Sequence, residues 1–269
     1  MPSRGLARTV YLDIENSPHM GYTWGKWQQN VIAVEEYSCL MSVAWAWGDD
    51  RKIHSAKLPD FKSAYRNNPR DDSKLMEVIG NVLDEADILV GHNIEKHDVR
   101  KSNASFLRHS QLPYSPVKPV DTLREAKRIG LFFGNSLDDL ARFLGLGSKL
   151  KVLTSGNKFD LWLRCMGGNE QAWTKMERYN KHDVFLNRLV HHRLRAWDSM
   201  HPNITLMTGE SKLCPVCGHK TVRAQEADGS EAWAYMKSWR AELYVCTRAT
   251  CGKYAKGRRE KLKASVLVA

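Results

Sequence analysis

Long apolar runs are missing from the 269-residue chain. None approaches the length needed to cross a membrane, which argues against a transmembrane protein. The N-terminus, Met-Pro-Ser-Arg-Gly, lacks the apolar core of a signal peptide. Internal repeats and low-complexity segments are missing as well. We therefore expect a globular protein in a cytosolic, reducing compartment.

Cysteine and acidic residues are also in short supply. Of six cysteines, four lie between residues 214 and 251. In a reducing compartment, such a cluster is more typical of metal binding than of disulfides. Asp and Glu number 30 against 41 Lys and Arg, which gives a net charge of +11 and a pI of about 9.4. This positive surplus suits a polyanionic partner such as nucleic acid.

The length allows one sizeable core and a smaller module. The tripeptide His201-Pro202-Asn203 marks a boundary, because the composition changes beyond it. We predict a first domain over residues 1–200 and a second over residues 201–269. The second would hold a zinc ribbon and a basic tail, with residues 253–263 loosely structured.

The order of sequence patterns predicts the fold of the first domain. Three strand patterns come first, and alternating helical and strand patterns follow them, which is typical of an α/β fold with a mixed sheet flanked by helices. Residues 57–72 are rich in Pro and Asn and predict a loop. Ser73 is the expected N-cap of the next helix. Residues 148–160 predict irregular basic structure, and residues 169–197 predict a long helix.

The first strand pattern, residues 9–16, carries two carboxylates. β-Branched and aromatic residues alternate in Thr-Val-Tyr-Leu-Asp-Ile-Glu-Asn, so Asp13 and Glu15 share one face of the strand. Two adjacent carboxylates repel each other unless a cation or a proton lies between them. The pair is a hint of a metal site, and solvated acids are the alternative that the composition allows.

Three further residues fit the same chemistry. Asp98 follows a buried strand pattern and opens a helix, while Tyr179 and Asp183 lie four residues apart on one face of the long helix. Each is common by itself, because an acid at a helix start interacts favourably with the helix dipole and a Tyr/Asp pair is usually solvated. Their order along the chain is the informative feature.

Together these residues resemble the motifs of the DEDD 3′–5′ exonucleases, a group of the ribonuclease H-like superfamily that includes the proofreading domains of DNA polymerases. Residues 13–15 (Asp-Ile-Glu) match the first motif. Residues 91–98 (Gly-His-Asn-Ile-Glu-Lys-His-Asp) match the second, and residues 179–183 (Tyr-Asn-Lys-His-Asp) match the third. The resemblance covers about residues 9–195.

Two positions depart from the family pattern. His97 stands where an aromatic residue is usual, and Arg178 stands where the histidine variant of the third motif would have His. His182 neighbours Asp183 but should project from the helix about 100° away. We therefore assign the tyrosine variant, DEDDy. Asn93 is expected to support the second motif by hydrogen bonding rather than to bind metal.

The resemblance implies phosphodiester hydrolysis with two divalent ions, Mg²⁺ or Mn²⁺, for which carboxylate oxygens are suitable ligands. By this resemblance, Asp13 would bridge the two ions. Glu15 and Asp183 would complete one metal site, and Asp98 would hold the second ion partly through water. Tyr179 would orient the attacking water.

The second domain is organised around two cysteine pairs. Cys214 and Cys217 flank the turn Cys-Pro-Val-Cys-Gly, and Cys246 and Cys251 form the partner pair. Four cysteines in two close pairs match a tetrahedral structural Zn²⁺ site, so we predict a zinc ribbon. The second pair is separated by four residues, which leaves His219 as an alternative ligand.

The second domain is also expected to bind nucleic acid. Residues 256–259, Lys-Gly-Arg-Arg, favour phosphate contacts, although basic tails are often simply solvated. Four aromatic residues interleaved with cations either stack on bases or form the core of the module. They are Trp233, Tyr235, Trp239 and Tyr244.

The sequence thus favours a metal-dependent 3′–5′ exonuclease with an appended zinc ribbon. Single-stranded DNA is the expected substrate, with RNA second, and a replication or repair protein is a further expected partner. One alternative is a non-catalytic nucleic-acid-binding protein, which the presence of all four acids and Tyr179 disfavours. Another is a nuclease that acts on structured or duplex ends in replication or recombination.

Overall fold

A computed structural model describes residues 5–25, 27, 30–48, 50–150, 159–206, 208–210, 212–236 and 238–262. Most of the stretch predicted to be irregular after residue 150 therefore lies outside the described residues. The chain forms two compact units. The larger unit is Arg8–Val190, and the smaller combines the chain from His191 onward with the N-terminal residues up to Ala7.

A five-stranded mixed sheet forms the centre of the larger unit. The described strands of this unit are β1 (Thr9–Asn16), β2 (Met20–Tyr22), β3 (Ala33–Glu36), β4 (Leu40–Trp47), β5 (His54–Lys57), β6 (Ile88–Gly91) and β7 (Lys118–Asp121). The sheet order is β5-β4-β1-β6-β7, and β2 pairs with β3 in a separate two-stranded ribbon. Strand β1 pairs antiparallel with β4 and parallel with β6, so it lies in the middle of the sheet.

Helices flank this sheet. They are α1 (Lys62–Asn67), α2 (Ser73–Asp84), α3 (Asp98–Arg108), α4 (Thr122–Ile129), α5 (Leu137–Phe143), α6 (Asp160–Met166) and α7 (Glu170–Leu194), and a 3₁₀ turn covers Leu58–Asp60. The predicted α/β fold with a mixed sheet between helices is thereby confirmed.

The core around β1 is built from buried strands and an amphipathic helix. Strand β4 is apolar along its length because both of its faces are covered, and β6 reads Ile-Leu-Val-Gly for the same reason. Helix α2 contributes an apolar stripe at helical spacing. Its buried members are Leu75, Met76, Ile79, Val82 and Leu83. Each buried side chain of this size stabilises the fold by about 1.5–3 kcal/mol.

The smaller unit contains a second, antiparallel sheet. Its described strands are β8 (Thr221–Arg223), β9 (Trp233–Met236), β10 (Trp239–Cys246) and β11 (Tyr254–Lys261). Strand β10 lies centrally, with β11 on one side and β8 and β9 on the other. Of the four aromatic residues considered for this module, Tyr235 and Trp239 are exposed and the other two are partly buried.

Three local expectations were wrong. The segment predicted as loop between residues 57 and 72 contains the 3₁₀ turn and α1, because Pro59 stands at a helix start, where its missing N–H costs nothing. The N-cap of α2 is Asp72 rather than Ser73. The basic tail is not loose over residues 254–261, because these residues pair with β10 through their backbone.

Within the described residues, no helix is long and apolar enough to cross a membrane.

Candidate metal centres

Three of the predicted acidic residues meet at the end of β1. Asp13 and Glu15 extend beyond the part of β1 that pairs with β6, which spans Thr9–Tyr11. Asp183 reaches the same point from the middle of α7. One carboxylate oxygen from each of these acids lies within 4.8 Å of the others. This spacing allows one cation to contact all three.

Asp98, the fourth predicted acid, lies beside this group rather than within it. Its Oδ1 accepts a hydrogen bond of 3.1 Å from the backbone N–H of Ile14, the residue between Asp13 and Glu15. The His97 ring, at the position that departs from the family pattern, has its Nδ1 3.5 Å from Asp98 Oδ2. The hydrogen bond to Asp98 raises the pKa of the His97 ring above its usual value, against the opposing effect of burial.

The electrostatics of the group favour a bound cation. Burial, followed by the negative charges of Asp98 and Glu15, raises the pKa of Asp13 well above its usual value. Burial and then the charge of Asp183 raise the pKa of Glu15 to about 8. Burial also raises the pKa of Asp183. Each of these acids therefore holds its proton more tightly than usual, and a bound cation would favour the ionised forms.

Lys149 supplies one such charge. Its Nζ lies 2.6 Å from Asp183 Oδ2 and 5.2 Å from the centre of the Tyr179 ring. Burial alone would lower the pKa of Lys149, but Asp183 and Tyr179 outweigh it and raise the pKa above its usual value. The backbone N–H of Lys149 donates to Asp138 Oδ1 at 2.7 Å, which fixes the residue through the start of α5.

Two neutral side chains orient the first-motif acids. Asn180 Nδ2 donates to Asp13 Oδ2 at 2.6 Å, and its Oδ1 accepts from Ser42 Oγ at 3.1 Å. Trp162 Nε1 on α6 donates to Glu15 Oε2 at 3.1 Å. Each acid is thus held by a donor from a helix. These contacts fix carboxylate orientation without neutralising the charge.

Sequence reasoning missed Lys149, Trp162 and Asn180. Asn180 carries a usable signal, because it lies three residues before Asp183 on a helix and therefore close to the same face. No spacing rule marks Lys149 or Trp162, since both reach the acids from elements that are distant along the chain.

Tyr179 lies where the tyrosine of the third motif is expected. It is close enough to Asp183 and Lys149 to shift the pKa of both groups. Its ring packs edge-on against Trp162, with the ring centres 6.0 Å apart. Burial and then Asp183 raise the pKa of the Tyr179 phenol, so the hydroxyl stays protonated at neutral pH.

The other motif residues have local partners. His182 Nε2 donates to the Ser148 carbonyl at 2.8 Å, and this ring lies outside the carboxylate group. Asn93 adopts a φ of 62°, and its backbone N–H donates to Asp121 Oδ1 at 2.9 Å. It therefore supports the turn after β6 through its backbone.

The acidic group suits a hard divalent cation. Its donors are carboxylate oxygens, which Mg²⁺ and Mn²⁺ prefer. Asp183 Oδ1 is buried and makes no hydrogen bond within the described part of the chain. A buried carboxylate oxygen without a partner is costly, and a metal ion would satisfy it.

A second group of potential ligands lies in the smaller unit. The Sγ atoms of Cys214, Cys217, Cys246 and Cys251 all lie within 4.8 Å of one another. Cys214 and Cys251 are 3.9 Å apart at sulfur, and Cys217 and Cys246 are 3.6 Å apart. These separations are too long for disulfides and match the edge of a tetrahedron of about 3.8 Å expected for Zn–S bonds of about 2.3 Å.

Backbone turns present these thiols. Gly218 adopts a φ of 69°, and its N–H donates to the Cys214 carbonyl at 2.8 Å, which closes the first turn. The N–H of Arg248 donates to Cys246 Sγ at 3.4 Å in the second turn. His219, the alternative ligand, is exposed and does not join the four sulfurs. The residues present fit one zinc ion.

Comparison with known proteins agrees with the fold of the larger unit. Residues 35–194 match the family described as the RNase_H superfamily, which is more than half of the chain. The chain belongs to the ribonuclease H superfamily. The matched range contains Asp98, Tyr179 and Asp183, whereas Asp13 and Glu15 precede it. This ribonuclease H-like unit has the fold of nucleases that act on nucleic acids.

Among solved structures, the family B DNA polymerase from the hyperthermophilic archaeon Pyrobaculum calidifontis is similar to this chain at 13% identity and a TM-score of 0.45. The similarity covers 89% of this chain and 33% of the polymerase, so the chain spans about a third of that protein. The comparison with curated proteins finds no match.

Proposed function

We propose that this protein is a metal-dependent 3′–5′ exonuclease of the tyrosine DEDD type that hydrolyses single-stranded DNA. The observation that carries the proposal is the meeting of Asp13, Glu15 and Asp183 within 4.8 Å, with Asp98 bonded to the same strand. Partly or fully buried acids with raised pKa values are typical of functional sites rather than of a solvated surface.

Asp13, Glu15 and Asp183 would hold one divalent ion, and Asp98 would share a second with Asp13. When bound, two such ions activate water and neutralise the leaving oxygen of a phosphodiester. Mg²⁺ or Mn²⁺ suits the all-oxygen donor set.

The side chains around the acids divide the remaining work. The Tyr179 hydroxyl remains protonated and can orient a water for in-line attack through a hydrogen bond. Lys149, which pairs with Asp183, would offset negative charge that develops on the phosphate. Asn180 and Trp162 keep the first-motif carboxylates in fixed orientations, which reduces the reorganisation needed during the reaction.

The smaller unit would act in binding rather than in chemistry. The four cysteines would fill a tetrahedral zinc site as thiolates and leave no position for a reacting water, which is the pattern of structural zinc. Strand β11 adds exposed cations on the same module, and single strands are held by positively charged surfaces of this kind. The cations are Lys256, Arg258, Arg259 and Lys261.

The test is digestion of end-labelled oligonucleotides. With Mg²⁺ or Mn²⁺, a 5′-labelled single strand should shorten to a ladder, because 3′–5′ digestion removes the unlabelled end first. Asp13→Ala should lower the rate by roughly a thousandfold, since the metal contribution amounts to several kcal/mol. It should leave the fold intact, because one of several repelling acids is removed. Glu85→Ala, an acid of the exposed surface, should retain the wild-type rate.

Digestion of an RNA strand and a DNA strand in side-by-side assays would rank the two substrates. Immediate release of labelled mononucleotide would contradict the 3′–5′ direction, and cleavage of a circular single strand would contradict an exonuclease. Wild-type digestion by Asp13→Ala would refute the assigned centre. Tight binding without any metal-dependent hydrolysis would favour the non-catalytic alternative.

A further inference from the structure

The ribbon formed by β2 and β3 exposes aromatic side chains to solvent. We call the described residues 20–25, 27 and 30–37 the arm. Trp24 is 87% exposed and Trp27 is 76% exposed, and the aliphatic Val31 and Ile32 are each more than half exposed. Indole is costly to leave in water, and clustered exposed apolar groups usually mark a binding surface. The arm therefore offers an exposed apolar surface to which a ligand can bind.

The base of the arm is rigidly held. Arg70 Nη2 donates to the Tyr37 carbonyl at 2.7 Å and to Ser17 Oγ at 3.2 Å. Its Nε forms an ion pair of 2.5 Å with Glu36 Oε2. One guanidinium thus joins the end of β3 to the turn that follows β1. A fixed base lowers the ordering entropy lost when the tip binds a ligand.

The arm also begins beside the acidic centre. It leaves β1 directly after Asn16, so Met20 lies at most about 17 Å along the chain from Glu15 at about 3.3 Å per residue. A cavity of about 520 Å³ is bounded by Met20 and by Leu163 and Met166 of α6. The neighbouring Trp162 of the same helix donates to Glu15. Helix α6 therefore contributes side chains both to the cavity at the base of the arm and to the acidic centre.

The charge of the arm indicates which ligand fits. Residues 17–34 contain no acidic residue. The two acids that follow are engaged at the base, where Glu36 pairs with Arg70 and Glu35 accepts a hydrogen bond from Tyr22. A polyanion can therefore approach the tip without facing a free carboxylate there. Indole rings stack on any nucleobase, because every base has a π face.

The geometry points to the arm as a stacking platform for unpaired bases of the strand that the acidic centre hydrolyses. This inference rests on the proposed function. Trp24 and Trp27 would contact bases upstream of the nucleotide being removed. The arm would then select strands of several nucleotides over single nucleotides and over stacked duplex.

The experiment compares a long and a minimal substrate. The long one is a twelve-residue oligothymidylate, and the minimal one is the p-nitrophenyl ester of thymidine 5′-phosphate, which has one base. The double variant Trp24→Ala/Trp27→Ala should raise KM for the long substrate by roughly tenfold or more, with kcat unchanged. Hydrolysis of the ester should remain at the wild-type rate. Trp24→Phe/Trp27→Phe should restore most of the affinity, because a phenyl ring still stacks.

Trp197→Ala is the matched control, since this indole is 79% exposed outside the arm and its loss should change neither substrate. An unchanged KM for the long substrate would overturn the proposal. Equal losses on both substrates would overturn it too, because the arm would then only support the catalytic strand. A shift from dimer to monomer in sedimentation with unchanged KM would assign the arm to self-association instead.

Failure of the nuclease function would be recognised separately. In that case the wild-type protein would hydrolyse neither substrate. Fluorescence anisotropy with labelled oligothymidylate would then decide the arm by itself, because the alanine variant should still lose affinity and the phenylalanine variant should keep it. Equal affinities for all three proteins would overturn the stacking platform.

Discussion

In the ribonuclease H-like unit, the three gathered carboxylates lie at the end of a strand whose surroundings are packed by aliphatic and aromatic side chains. Among the described residues of the smaller unit, one buried apolar cluster consists of Cys214, Val216 and Cys246, with the other two cysteines packed against it. The first centre is placed on a core that exists without it. The cysteines of the second centre make up most of this buried cluster themselves.

This difference determines what each metal can do. A core that folds independently can hold mutually repelling acids in place. A cation that binds between them relieves the repulsion, which favours binding of a reactive metal. A module with few buried aliphatic residues instead depends on its ion for folding. Metal binding should therefore change activity in one unit and structure in the other.

Breaking the cysteine site should give the largest effect. Cys246→Ser should abolish zinc binding and unfold the ribbon, because structural zinc supplies about 10–16 kcal/mol of apparent binding free energy. The ribonuclease H-like unit should remain folded and should still hydrolyse the p-nitrophenyl ester. Elemental analysis should find about one zinc per wild-type chain and none in the variant.

Cys165→Ser provides the control for this change. Cys165 is a buried thiol of α6 that lies outside the group of four. The same chemical substitution there should leave the zinc content at the wild-type value. If the zinc ribbon of the Cys246→Ser variant stayed protected from proteolysis without zinc, the inferred difference in metal dependence between the two units would be wrong.

The acidic residues were predicted from their resemblance to the ordered motifs of the DEDD exonucleases. Strand alternation adds only that Asp13 and Glu15 share one face, and helical spacing adds only that Tyr179 and Asp183 share another. Lys149 and Trp162 could not be found in this way, because their contacts depend on where α5 and α6 pack. Long-range ion pairs and hydrogen bonds leave no local periodicity.

Strand β11 shows the same limit for secondary structure. Most of its residues are Lys, Arg or Glu and provide no apolar face, so residues 253–263 were expected to be loose. The strand forms because its backbone pairs with β10 from Val245 to Trp239. Pairing of this kind is decided by the neighbouring strand and not by the side chains of the segment itself.

A second prediction concerns pH and sharpens the account of the acidic centre. Glu15 has a folded-state pKa of about 8 against an ordinary value of 4.5. Below pH 4.5 both states are protonated, so its stabilising contribution is fully present. As the pH rises towards 8, the unfolded state releases the proton first and this contribution is lost. Without added Mg²⁺, the unit should lose on the order of 3 kcal/mol over this window.

Urea unfolding at pH 5–8 in metal-depleted buffer, without a chelator that would strip zinc, measures this loss. The difference between wild type and Glu15→Gln reports Glu15 together with the shift that its charge imposes on Asp13. Millimolar Mg²⁺ should recover stability at pH 8, since it binds the ionised acids. Lys149→Met should deepen the loss, because the ammonium beside Asp183 is removed. Parallel pH profiles for wild type and Glu15→Gln would refute the raised pKa.

The smallest expected effect distinguishes cations that bind the DNA strand from the charged residues of the acidic centre. Arg258 and Arg259 lie exposed on β11, whereas the acids of the other unit repel a polyanion until cations are bound. Changing both arginines to Ala should leave kcat unaltered and weaken binding of single-stranded DNA. The slope of log K against log salt should become shallower by roughly 1.4, because each contact to a single strand contributes about 0.7.

Arg51→Ala/Lys52→Ala is the matched control for that salt series. These exposed cations follow Trp47, the last residue of β4, which pairs with Val10. Glu15 pairs with Ser42 near the other end of β4, so the two cations lie at the end of the strand away from the acidic centre. Their removal changes the net charge equally but not at β11, so the slope should stay near the wild-type value. If both double variants flatten the slope to the same extent, the cations act through total charge, and β11 has no particular role in holding the strand.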